Sequence, residues 1–113
     1  MKSERHIIFH KHHFTDFYLE LTEDVQEKIE YVFKIIRTVQ NVPKKFLDYM
    51  AGTDGLYEIR IEYVSNIYRI FCFFAGEQLV VLMNSFQKKT AKTPKSEIRT
   101  ALKIKKEYEQ ENK

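Results

Sequence analysis

From Leu56 onward the apolar residues recur at every second position, and that period limits most what the chain can fold into. In "LYEIRIEY" Tyr57, Ile59, Ile61 and Tyr63 share one side and Glu58, Arg60 and Glu62 the other, the pattern of a strand with one buried face and one open face. "VSN" supplies turn residues and "IYRIFCFF" reads as a second strand. "AGEQ" is a second turn, and "LVVLMNSF" is a third strand, apolar enough to lie inside a sheet. The three form a meander.

The amino-terminal half changes to helical period. Val25, Ile29, Val32, Phe33, Ile36 and Val39 make one stripe, with Thr22 as a candidate cap and Glu23 and Asp24 suited to the positive end of the helix dipole. Phe14, Phe17, Tyr18 and Leu21 predict a shorter helix before it, and "RHIIFH" a short first strand. "NVPKKFLDYMAGTDG", with Pro43, Gly52, Gly55 and no sustained period, reads as a connection. Thr93 and Pro94 read as a cap and first-turn pair, opening a helix with Ile98, Ala101, Leu102, Lys105 and Tyr108 on one side. The predicted order is βααβββα. This is one α+β domain over residues 1–113: a small antiparallel sheet with two amino-terminal helices packed on one face and a carboxy-terminal helix.

A chain of 113 residues with nine Phe and seven Tyr can bury a core, which argues against disorder. No window approaches the roughly 20 apolar residues of a membrane span, and the amino terminus lacks the apolar stretch of a signal peptide. The expectation is a cytoplasmic protein with no membrane partner. The single Cys72, inside "YRIFCFF", reads as a small buried hydrophobe.

Charge is unevenly placed. Residues 14–30 carry six acids against Lys28, a net −5, whereas residues 87–106 carry Lys88, Lys89, Lys92, Lys95, Arg99, Lys103, Lys105 and Lys106 against Glu97, a net +7. The basic segment suits a polyanion, although such a run is also common as a solvated surface. "HKHH" places His10, His12 and His13 close together, and strand alternation would set His10 and His12 on one side. Without a cysteine partner or an H-E-x-x-H spacing, no metal site and no cofactor are expected there.

If the first turn of the meander has an even loop, Glu62 faces Ile67 and Arg60 faces Arg69. Like charges directly opposite are destabilising, so the pair requires a carboxylate such as Glu58 between them or an anion above them. The plainer reading makes both arginines exposed strand residues paired with Glu58 and Glu62.

"GLYEIRIEYVSNIYRIFCFF" and "LMNSFQKKTAKTPKSEIRTALKIKKEY" resemble the RelE/HigB-like toxins of type II toxin–antitoxin systems, in particular the phage-derived HigB-like branch of the RelE/ParE superfamily. The similarity runs from about His6 to Tyr108. It implies ribosome-dependent cleavage of messenger RNA and hence translation inhibition by a metal-independent endoribonuclease, held off by a cognate antitoxin of helix-turn-helix type. On this resemblance the catalytic cations are Arg60, Arg69, Lys88 and Lys89, and the surrounding RNA contacts are Glu58, Lys92, Thr93 and Lys95. Relatives with a functional tyrosine or histidine near the carboxy terminus have no clear counterpart here. The alternatives are a gyrase-directed ParE-like toxin without nuclease activity and a non-enzymatic nucleic-acid or partner-binding module of the same fold.

Overall fold

A computed structural model describes residues 4–113. The elements run β1 (His6–Phe9), α1 (His13–Leu19), α2 (Glu23–Thr38), β2 (Leu47–Tyr49), β3 (Tyr57–Tyr63), β4 (Asn66–Phe74), β5 (Leu79–Lys88) and α3 (Lys95–Glu111). They build a five-stranded sheet in the order β1-β5-β4-β3-β2, antiparallel except where β1 runs parallel to β5. This is the α+β architecture expected, with one strand added. β2 lies inside the segment read as a connection, because three residues are too few to show a period. It is recruited as an edge strand by pairing Leu47 with Ile59 and Tyr49 with Tyr57.

The meander does have an even loop. Tyr63 pairs with Asn66 across Val64 and Ser65, so Glu62 faces Ile67 and Arg60 faces Arg69. Val64 closes the turn at φ 57°, a left-handed conformation that is costly for a β-branched side chain.

Alternation then divides the sheet between two cores. Ile59, Ile61, Tyr68, Ile70, Cys72, Val80 and Leu82 meet Phe14 of α1 and Val25, Ile29, Val32, Phe33 and Ile36 of α2. On the opposite face Phe71, Phe73, Val81 and Met83, with Leu56, meet Ala101 and Ile104 of α3. The stripe expected for α3 omits Ile104, which is buried. Its Lys105 is buried too, with its ammonium 5.2 Å from the centre of the Phe73 ring and ion-paired to Asp54 and Glu109.

The helix ends are held differently from expectation. Thr22 occupies the position before α2 but makes no side-chain capping bond, and Pro94 rather than Thr93 immediately precedes α3. The carboxy-terminal carbonyls of α2 are instead satisfied by Arg5, whose guanidinium donates to Ile36 O, Val39 O and Gln40 O at 2.6–2.8 Å. A cavity of about 720 Å³, lined by Arg5, Arg37 and Phe74 among others, surrounds this clamp. It lies at the far end of β4 from the arginine pair.

Candidate functional site

Three rows of side chains cross the open half of the α3-side face. Glu58 is flanked by Asp48 and Phe71, Arg60 sits beside Arg69 and then Phe86, and Glu62 sits beside Ile67 and then Lys88. The Arg60 amide donates outward to Phe46 O at 2.8 Å, so its pairing with Arg69 is of the non-hydrogen-bonded kind. In that arrangement the two Cα atoms approach to about 4.5 Å, and the guanidinium stems leave the sheet side by side.

Each arginine is balanced by its own carboxylate. Arg69 Nε lies 3.0 Å from Glu58 Oε1, and Arg60 Nη1 lies 3.7 Å from Asp48 Oδ2. The first contact is a close ion pair, although neither buried atom makes a well-directed hydrogen bond. The Nη1 group of Arg69 donates to Tyr68 O at 3.2 Å. Burial lowers the pKa of Arg69, opposed by the charge of Glu58.

The burial of Arg69, only 2% exposed, overturns the expectation of an exposed strand residue. Alternation identified its face correctly. What it could not show is that Phe71 along the strand and Phe86 across it, their rings 5.6 Å apart, flank Arg69 on that face.

Lys88 shares the face with Arg69 and stands on the diagonal from it, through Ile67↔Lys88 and Arg69↔Phe86. Lys89 lies one residue beyond β5 and is exposed, Lys92 and Lys95 are exposed, and Thr93 is half-buried. Among the described residues no hydrogen bond or ion pair joins any of these four to the arginines. The structure therefore brings together Arg60, Arg69, Glu58 and Lys88, and leaves the other four on the adjoining loop and helix start. Glu97 does not neutralise the lysine run: its backbone oxygen and its carboxylate both accept from Asn84 Nδ2 at 3.0 Å, which ties α3 to β5. Among the described residues, Lys88, Lys89, Lys92 and Lys95 carry no ion pair.

The histidine cluster forms with a different membership. β1 ends at Phe9 and Lys11 turns the chain at φ 55°, so strand alternation stops before His12. His10, His13 and Glu107 come within 4.8 Å of one another instead. His10 Nε2 is 3.1 Å from Glu107 Oε1, and Lys11 Nζ reaches that same oxygen at 2.8 Å, so a protein cation already occupies the carboxylate. Desolvation, with the nearby charge of His10, lowers the pKa of His13, whose Nε2 is buried without a partner.

A groove of about 550 Å³ continues from Arg60 around the edge of the sheet, lined by Lys28, Tyr31, Lys44, Lys45, Phe46, Arg60, Glu62 and Val64. Lys44 and Lys45 were hidden in a segment read as a bare connection, and Lys28 by the acids around it. The signal that could have found them is the "PKKF" run itself, two cations beside an aromatic ring.

Residues 16–106 match the family described as phage derived protein Gp49-like (DUF891). The chain belongs to that family. The Gp49-like proteins are a toxin-like family of the RelE/ParE type. The match spans β3, β4, β5 and most of α3, so all three rows of the candidate site lie within it. Comparison with curated proteins gives no match. Among the described residues no helix is long and apolar enough to cross a membrane.

Proposed function

We propose that this Gp49-like chain acts over residues 1–113 as one toxin domain of a type II toxin–antitoxin system, cutting messenger RNA on the ribosome and so stopping translation in the cytoplasm. The observation that carries the reading is the Arg60–Arg69 cross-strand pair: two arginines directly opposite one another on neighbouring strands, one buried and one at the rim, at the edge of a basic segment. Each arginine has one carboxylate beside it, and the partly exposed Arg60 guanidinium makes no hydrogen bond among the described residues, which leaves its donors free to take a phosphate.

The reaction fitting this face is attack of a ribose 2′-OH on the neighbouring phosphorus. A 2′-O–P bond forms and the P–O5′ bond breaks, giving a cyclic phosphate and a free 5′-OH; the 2′-OH proton passes to a base and the leaving oxygen receives a proton. Arg60, half-buried at the rim, and Lys88 hold the phosphate and offset the charge that develops on it. Arg69 adds its positive charge from beneath. Lys89, Lys92, Thr93 and Lys95 guide the RNA across the adjoining loop. Preorganised donors of this sort supply on the order of 3–4 kcal/mol each. Glu58 is on the right face to accept a proton, but its pairing with Arg69 favours a role in holding that guanidinium. A helix-turn-helix antitoxin would silence the protein by covering the cationic face.

The test is expression without an antitoxin, followed by mapping of transcript ends. The expected result is translational arrest with messenger RNA cut only in ribosome-bound transcripts, surviving removal of transition metals. Arrest with intact transcripts and broken DNA would overturn the reading in favour of gyrase.

A further inference from the structure

In the groove beside Arg60, two of the three lysines face aromatic rings and, among the described residues, none of the three meets a carboxylate. Lys28 Nζ lies 5.4 Å from the centre of the Tyr31 ring, and Lys45 Nζ lies 5.0 Å from that of Phe46. The two rings meet edge to face at 6.2 Å. Among the described residues Lys28, Lys44 and Lys45 have no ion pair, whereas Lys11, Arg60, Arg69 and Lys105 all do. An aromatic ring holds an ammonium in place without cancelling its charge. The groove therefore presents prepositioned positive charge, with Glu62 the only acid in its lining.

Its place in the fold matters equally. Regular pairing of β2 with β3 stops at Leu47↔Ile59, followed by the one further bond from Arg60 N to Phe46 O, so the last residues of β3 are laddered to β4 alone. Around that open edge, cations from α2, from the segment before β2 and from the α3-side face converge. Arg60 belongs both to the groove and to the paired row with Arg69. Beside Val64 of the lining, the pKa of Tyr63 is raised by the charge of Asp24, with Glu27 adding to it.

We propose that this groove is a phosphate-binding track for single-stranded RNA, continuing from Arg60 around the edge of the sheet. It deepens the function proposed above and rests on that reading for the identity of the polyanion. Lys28, Lys44 and Lys45 hold successive backbone phosphates, so the track adds affinity without base preference.

The experiment measures binding of a short labelled single-stranded RNA by fluorescence anisotropy across a salt series, off the ribosome, so that no cleavage is needed. The full chain is compared with a variant carrying Lys28→Gln, Lys44→Gln and Lys45→Gln, whose folding is checked by its melting curve. Each lost contact to a single strand lowers the slope of log affinity against log salt by about 0.7, so the variant is expected to lose about 2 from the slope and at least ~10-fold in affinity at physiological salt. A folded variant with unchanged affinity and slope overturns the track, as does a wild-type chain that binds no RNA at low salt. Binding of polyglutamate that depends on the three lysines, with RNA binding that does not, would overturn it in favour of an acidic peptide. Loss of RNA binding in the variant supports the track even if the wild-type chain proves to cut nothing on ribosomes, in which case only the nuclease reading fails.

Discussion

The two faces of the sheet are made by alternate residues of the same strands, yet they follow different rules. On the α1/α2 face, Ile59, Ile61, Ile70 and Leu82 are fully buried among aliphatic and aromatic partners. On the α3 face Phe71, Phe73, Val81 and Met83 are buried in the same way, but the half nearer the β3–β4 turn holds Glu58, Arg60, Arg69 and Lys88. The first face is explained by burial alone. The second contains a buried ion pair whose hydrogen bonding is incomplete, where well-packed hydrophobic residues would often be as stable or more so. Packing does not account for it.

The largest effects should appear when each face is broken once. Phe33→Ala removes a ring that is 2% exposed, and Arg69→Ala strands the Glu58 carboxylate; each is expected to cost about 3–5 kcal/mol in denaturant unfolding. The two losses should differ in their rescue. Glu58→Gln in the Arg69→Ala background should recover part of the stability, whereas no change of charge should help Phe33→Ala. Failure of that rescue would mean that Arg69 matters to the fold through its packing.

A smaller structural effect with a larger functional one is expected at Arg60. Its side chain is 31% exposed and its partner Asp48 lies at 3.7 Å, so Arg60→Ala should cost below about 1 kcal/mol. Toxicity and RNA affinity should nevertheless fall sharply, as growth assays and anisotropy would show. Unaltered toxicity in the folded variant would remove Arg60 from the site.

How much of this was legible follows from where the signals lie. Alternation and an even turn were enough to place Arg60 opposite Arg69, because side-chain period and loop length together fix register. β2 was not legible, being three residues at an edge, and neither was the burial of Arg69, whose cross-strand neighbour Phe86 is distant in sequence. His13 rather than His12 joins His10 because one residue at positive φ, Lys11, interrupts the strand pattern. Local period reports a face well, but what covers that face is a long-range property.

The smallest effect is one of pH. His13 has its folded pKa lowered from 6.5, chiefly by desolvation, so the unfolded chain binds its proton first as pH falls. The stability it contributes is complete above about pH 6.5 and declines as pH drops toward the folded value. The melting temperature should be lower at acidic pH than at neutral pH, and His13→Gln should flatten that dependence. An identical profile in the variant would assign the pH response elsewhere.

The central claim is that the Arg69–Glu58 pair is kept for its chemistry and not for stability. The double variant Arg69→Met with Glu58→Leu tests it most directly, with melting temperature and ribosome-dependent cleavage read on the same preparation. The expected result is a melting temperature equal to or above that of the wild-type chain, with cleavage abolished. A variant that melts normally and still cuts messenger RNA would contradict it.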